Sequence, residues 1–75
     1  MQAVVWSKYH CHYCDQAKAL LKQKGIEFEE RKIGDGYTRE ELLEAVPAAR
    51  TVPQIFLDGN HIGGFTELKA YLDGK

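Results

Sequence analysis

Long hydrophobic runs are missing from this sequence: the longest apolar stretch is the four residues from Ala3 to Trp6. About 20 are needed to cross a bilayer as a helix, so no membrane-spanning segment is predicted. Met1 leads straight into strand-like sequence, without a basic start or a small-residue cleavage site, and the expected location is cytoplasmic. No charge of one sign dominates either. Ten lysines and arginines face eleven aspartates and glutamates, a formal net charge of −1. Such a chain has no basic field with which to hold a phosphate backbone, so nucleic acid is not an expected partner. Cysteine is scarce, with only Cys11 and Cys14. A bridge closing so small a loop removes little chain entropy, which argues against a disulfide-stapled scaffold. Repeats, low-complexity tracts and linkers are lacking as well. A chain of 75 residues holds one core, so the expectation is a single domain over residues 1–75. No large unexplained apolar surface is evident, and a monomer is expected.

What the sequence does contain is the balance of a soluble globular domain, 44% hydrophobic and 28% charged. Ala3-Val4-Val5-Trp6 reads as a strand buried on both faces. Tyr13, Ala17, Leu20, Leu21 and Lys24 recur at helical spacing, and Gly25 stops that helix. Ile26 to Ile33 is a second strand, broken by Gly34-Asp35-Gly36. Thr38 and Glu41 fit a capping box opening a helix with Leu42, Leu43 and Val46 on its inner stripe, ended by Pro47. Gln54 to Leu57 and His61-Ile62 form a hairpin through Asp58-Gly59-Asn60. Thr66 to Leu72 is a last helix, burying Leu68, Tyr71 and Leu72. The order is β-α-β-α-β-β-α. A right-handed strand–helix–strand crossover followed by an antiparallel hairpin gives an α/β fold with a four-stranded mixed sheet flanked by helices. Its first strand delivers both cysteines at a carboxyl end, where open α/β sheets place their chemistry.

A thiolate attacks disulfides, so a redox cysteine needs surroundings that stabilise negative charge. A helix N-terminus supplies unpaired N–H groups and the positive end of the dipole. Cys11 is placed to use them, with Lys8 as an added positive charge. Cys14, one turn on, is expected to be more buried and within reach of a mixed disulfide on Cys11. That spacing suits a nucleophile and a resolving thiol. Two other readings stay open. The pair could serve zinc, with His10, His12 or His61 as nitrogen ligands, although four ligands are the rule and no second Cys-x-x-Cys occurs. It could also be two small core residues. His61 and His10 read as surface residues.

Cys11-His12-Tyr13-Cys14, Thr51-Val52-Pro53-Gln54-Ile55-Phe56 and His61-Ile62-Gly63-Gly64-Phe65-Thr66-Glu67 follow one another in a pattern that spans the chain. In that combination the sequence resembles a dithiol glutaredoxin of the small bacterial or phage type. The resemblance implies a thioredoxin fold and a glutathione-dependent thiol–disulfide oxidoreductase with catalytic Cys11 and Cys14. No tightly bound cofactor or metal is implied; glutathione is the co-substrate. The resemblance also implies a cis bond before Pro53, freeing the Val52 backbone to pair with the cysteinyl part of glutathione, with Thr51 in the same groove. Gly64, Phe65, Thr66 and Glu67 are implied to hold the γ-glutamyl end, Tyr13 to form a rim, and Lys8 to attract the glycyl carboxylate. Implied partners are disulfide-containing or glutathionylated proteins, ribonucleotide reductase among the family's substrates.

Three residues depart from the family pattern. His12 stands where proline is common, restoring an N–H and adding an imidazole, a group that titrates near neutrality. Phe65 replaces a common tyrosine, and Glu67 an aspartate. Two alternative functions remain at this point: a thioredoxin-like carrier recharged by a flavin reductase, and a metal or iron–sulfur module. The second cysteine disfavours the cluster reading, because cluster-binding relatives often carry Cys-Gly-Phe-Ser.

Overall fold

The computed structural model describes residues 1–74. Strand β1 (Gln2–Lys8) lies inside the sheet, parallel to β2 (Glu27–Ile33) on one side and antiparallel to β3 (Gln54–Leu57) on the other. β4 (Asn60–Gly63) extends the sheet beyond β3, for an order β2-β1-β3-β4. Helix α1 (His12–Gln23) makes the crossover between β1 and β2. α2 (Arg39–Ala45) joins β2 to β3, and α3 (Phe65–Asp73) follows β4. This is the α/β order read from the sequence. No helix among the described residues is long and apolar enough to cross a membrane.

Alternation along the strands decides which residues enter the core. Ala3 and Val5 of β1, with Ile55 and Leu57 of β3, face Ala17 and Leu21 of α1 and Leu68 of α3. All seven are at most 3% exposed, and each fully buried aliphatic side chain among them is worth about 1.5–3 kcal/mol. Trp6 points to the opposite face, where Tyr37 meets it edge-on at 5.6 Å and the Arg31 guanidinium lies 5.3 Å from its centroid.

Local chemistry sets the joints. Thr38 accepts the Glu41 N–H while the Glu41 carboxylate accepts the Thr38 N–H, the expected capping box of α2. α2 ends at Ala45, and Val46 turns extended ahead of Pro47, as a residue preceding proline prefers. Asp58 and Gly59 take φ values of 50° and 84°, a two-residue hairpin loop of the kind that Asp-Gly favours. The hairpin is also tied to the start of the chain. Gln2 N–H donates to Asp58 Oδ1 at 2.9 Å, and Asp58 N–H donates to the Gln2 carbonyl at 2.8 Å.

Two expectations need correcting. Tyr71, placed inside by helical spacing, is 39% exposed, because α3 turns only Leu68 fully into the core. Helix α3 also starts earlier than expected, with Gly64 as its N-cap and Thr66 inside the first turn.

One polar network ties α1 to the sheet. Fully buried Ser7 donates to Glu30 Oε2 at 2.7 Å, and Lys18 donates to the same oxygen at 2.8 Å. Lys18 also lies 3.5 Å from Asp15. Burial pushes the Glu30 carboxyl up, but the hydrogen bonds from Lys18 and Ser7 outweigh it and leave its pKa below the ordinary value of 4.5. The hydrogen bond to Glu30 raises Lys18 in turn. A carboxylate lowered in the folded state stabilises fully above its unfolded pKa and loses that contribution as pH falls through the folded one. Glu30→Gln is therefore expected to cost about 1 kcal/mol at pH 7. The difference from the parent should shrink below pH 4.5, as followed by urea unfolding at several pH values.

Candidate active site

β1 ends at Lys8, and the turn through Tyr9 and His10 delivers Cys11 to the N-cap of α1. His10 takes a φ of 57°, a left-handed conformation that swings the chain from strand to helix. Cys11 has extended backbone, and its Sγ accepts the Cys14 N–H at 3.1 Å. Sulfur thus fills the place a serine or aspartate oxygen takes in an ordinary cap. Negative charge on that sulfur meets an amide that has no partner within the helix, together with the positive end of the dipole. Asp15 in the same turn opposes that charge, and Lys18 lies beside it.

The two cysteines are joined as a disulfide, so this is the oxidised form. Cys14 is 1% exposed whereas Cys11 is only partly buried, so an incoming group meets Cys11 first. The Val52 carbonyl oxygen lies 3.8 Å from Cys11 Sγ. A disulfide sulfur has no proton to donate, so this contact can become a hydrogen bond only on reduction to the thiol.

The Val52–Pro53 bond is cis. Among the described residues, neither the N–H nor the C=O of Val52 pairs with another backbone group. Both remain available to an extended peptide laid beside them. The turn itself is held from behind: His61 Nε2 lies 2.7 Å from Gln54 Oε1, and Gln54 Nε2 donates to the Thr51 carbonyl at 2.9 Å. His61 is exposed, as expected from the sequence, but its contact with Gln54, and any role for Gln54, went unanticipated. The available signal was a glutamine opening an otherwise apolar strand, a polar group whose burial demands partners.

A groove of about 290 Å³ opens beside this turn, lined by Tyr13, Thr51, Val52, Pro53, Gly64, Phe65, Thr66 and Glu67. These are eight of the nine binding residues expected from sequence. The Tyr13 and Phe65 rings stand 6.2 Å apart and give the groove an aromatic wall. Lys8 lies elsewhere, in an adjoining pocket that shares Thr51 and Val52 with the groove. Glu67 has a structural task as well, its Oε1 accepting the Gly64 N–H at 2.8 Å and so capping α3. No group of three or more metal-ligating side chains occurs among the described residues.

The glutaredoxin family model matches residues 3–62. The chain belongs to the glutaredoxin family. Glutaredoxin 3 of Escherichia coli (strain K12) is 46% identical over 72 residues, spanning 95% of this chain and 84% of that protein. The crystal structure of glutaredoxin 1 from Francisella tularensis superposes with a TM-score of 0.81 at 36% identity, covering 97% of this chain and 93% of that one. A buckwheat glutaredoxin solved as a complex with glutathione gives 0.80 at 33% identity, covering 97% and 70%. The fold is therefore the thioredoxin fold of the glutaredoxins. The chain is a thiol–disulfide oxidoreductase that works through the Cys11–Cys14 dithiol.

Two features of this site are open to direct test. Gly63 has a φ of 127°, and a Cβ there would stand 2.8 Å from Glu67 Cγ. Gly63→Ala is expected to cost about 1–3 kcal/mol and to dislodge the Glu67 cap, raising KM for groove-bound substrates, as thermal unfolding and steady-state kinetics would show. His12 is the first residue of α1, where proline is pre-organised, so His12→Pro should leave stability within about 1 kcal/mol. The His12 Nε2 lies 2.9 Å from Gln16 Nε2. Removing the ring is expected to change the Cys11 thiol pKa and the pH–rate profile. An unchanged thiolate absorbance titration and profile would overturn that role.

Proposed function

We propose that the chain reduces protein disulfides and glutathione mixed disulfides at the expense of glutathione, acting in the cytoplasm as one monomeric domain over residues 1–75. The observation that carries this is the unpaired Val52 backbone beside Cys11 Sγ, at the head of a groove that ends at Gly64 to Glu67. Val52 pairs with the cysteinyl part of glutathione, and Thr51, Pro53, Tyr13 and Phe65 enclose it. The Thr66 hydroxyl and backbone hold the γ-glutamyl carboxylate, with Glu67 Oε2 left to meet its ammonium. Lys8 attracts the glycyl carboxylate from the adjoining pocket. The glutathione complex of the buckwheat relative supports the reading.

In the cycle, the Cys11 thiolate attacks one sulfur of a substrate disulfide and expels the other as a thiolate. With a protein substrate, Cys14 then attacks Cys11 Sγ, frees the substrate thiol and leaves the Cys11–Cys14 disulfide. One glutathione thiolate opens that bond at Cys11 and releases Cys14; a second takes the first away as glutathione disulfide. When the substrate is already a glutathione mixed disulfide, Cys11 attacks the glutathione sulfur and Cys14 is not needed. Ribonucleotide reductase and glutathionylated proteins are the substrate classes proposed.

The test is NADPH-coupled reduction of a small mixed disulfide, with glutathione and glutathione reductase in one arm and thioredoxin reductase in the other. Turnover is expected only with glutathione. Turnover with thioredoxin reductase alone would overturn the groove assignment and leave a thioredoxin-like carrier. Cys14→Ser is expected to keep deglutathionylation while losing about two orders of magnitude in protein-disulfide reduction. Equal loss of both activities would refute the division of labour.

A further inference from the structure

The adjoining pocket is more than a seat for Lys8. It holds about 150 Å³, on an apolar floor of Ile33, Leu42 and Leu43, with Lys8, Arg39 and Arg50 at its edge. About 150 Å³ of apolar cavity is enough to take up a ligand the size of benzene. None of the three cations makes an ion pair among the described residues. Arg39 occupies the first position of α2, where the helix dipole disfavours a positive charge, so helix stability does not account for it. An apolar floor with an unpaired cationic edge fits an aliphatic side chain accompanied by a carboxylate.

Chain direction says which part of a substrate reaches it. The glutathione groove lies on the Pro53 side of Val52, and this pocket on the Arg50 side, with Thr51 and Val52 common to both. A substrate strand running antiparallel to Thr51-Val52-Pro53 has its amino-terminal part in the groove. Its residues after the cysteine then run toward Arg50. Glutathione has a single glycine after its cysteine and no side chain to offer the floor. A protein substrate continues. We propose that this pocket selects protein substrates by the one or two residues that follow the reacting cysteine, favouring an aliphatic side chain with an adjoining carboxylate. The inference rests on the pairing of Val52 with substrate proposed above.

The step to be measured is attack of Cys11 on a peptide cysteine disulfide-bonded to thionitrobenzoate. A Cys11–peptide disulfide forms, the thionitrobenzoate thiolate leaves and is read by its colour, and Cys14 then frees the peptide thiol. Pre-reduced protein would be mixed with peptides containing Ala-Cys-Asp-Leu, Ala-Cys-Lys-Ser or the reversed Leu-Asp-Cys-Ala, and with the glutathione derivative. Each rate is normalised to that with dithiothreitol. The Cys-Asp-Leu peptide is expected to react at least about tenfold faster than either other peptide. Arg50→Glu, at an exposed position, should reverse the preference for aspartate over lysine. Adding Leu43→Asn should abolish the preference for leucine among the peptides. Equal rates for all peptides, a preference for the reversed one, or a preference that survives both substitutions would overturn the pocket and leave the glutathione reading standing. If the glutathione derivative itself has no advantage over the derivative of free cysteine, the groove reading falls, and the pocket with it.

Discussion

One hydrogen bond organises this molecule, the one from the Cys14 amide to Cys11 Sγ. A helix must leave its first N–H groups without internal partners, and here a sulfur takes one of them. The same atom that caps the helix is therefore the one that an incoming group meets first. Cap and nucleophile require the same thing, a helix that begins immediately after β1. β1 meets that requirement because its pairing with β2 runs as far as Lys8 and so fixes where the strand ends. The Ser7–Glu30–Lys18 network holds the helix to the same strands from the other end of its first two turns.

The second half of the site is built on a different principle. The Thr51–Pro53 turn contributes the Val52 main-chain groups, which it leaves unpaired with any other backbone group among the described residues. A free amide and carbonyl are tolerable only at a surface or beside a ligand, so the turn must be held rigidly by other contacts. Gln54 and His61 do this through the Thr51 carbonyl. Side chains then divide the surroundings: aromatic and glycine-rich on one side of Val52, aliphatic and cationic on the other.

Much of this was legible in the sequence because it rests on local chemistry. The capping box at Thr38 and Glu41, the Asp58-Gly59 loop and the Cys11-to-Cys14 helix start each declare themselves within a few residues. All seven elements and their order followed from such signals. Tyr71 was misplaced because periodicity gives a face of a helix and not its tilt against the sheet. Helix α3 begins ahead of Thr66, at a Gly64 cap, since Glu67 can reach back to the Gly64 amide and Gly63 leaves room for it. Eight of the groove residues were found through family resemblance, which carries long-range proximity that spacing alone does not. Lys8 sits around the corner from that groove, a separation that only the three-dimensional course of the turn defines.

The paired main-chain and side-chain bonds between Gln2 and Asp58 have a consequence for how the domain can be joined to other things. They fasten the first residues of β1 at the end of the strand opposite Lys8, some 20 Å of extended chain from the reacting sulfur. A tether, tag or second module attached ahead of Met1 would emerge at that far end. It would load its pull onto the Asp58 hairpin, which carries no redox chemistry. The sulfur, the open amide and both pockets lie clear of such an attachment.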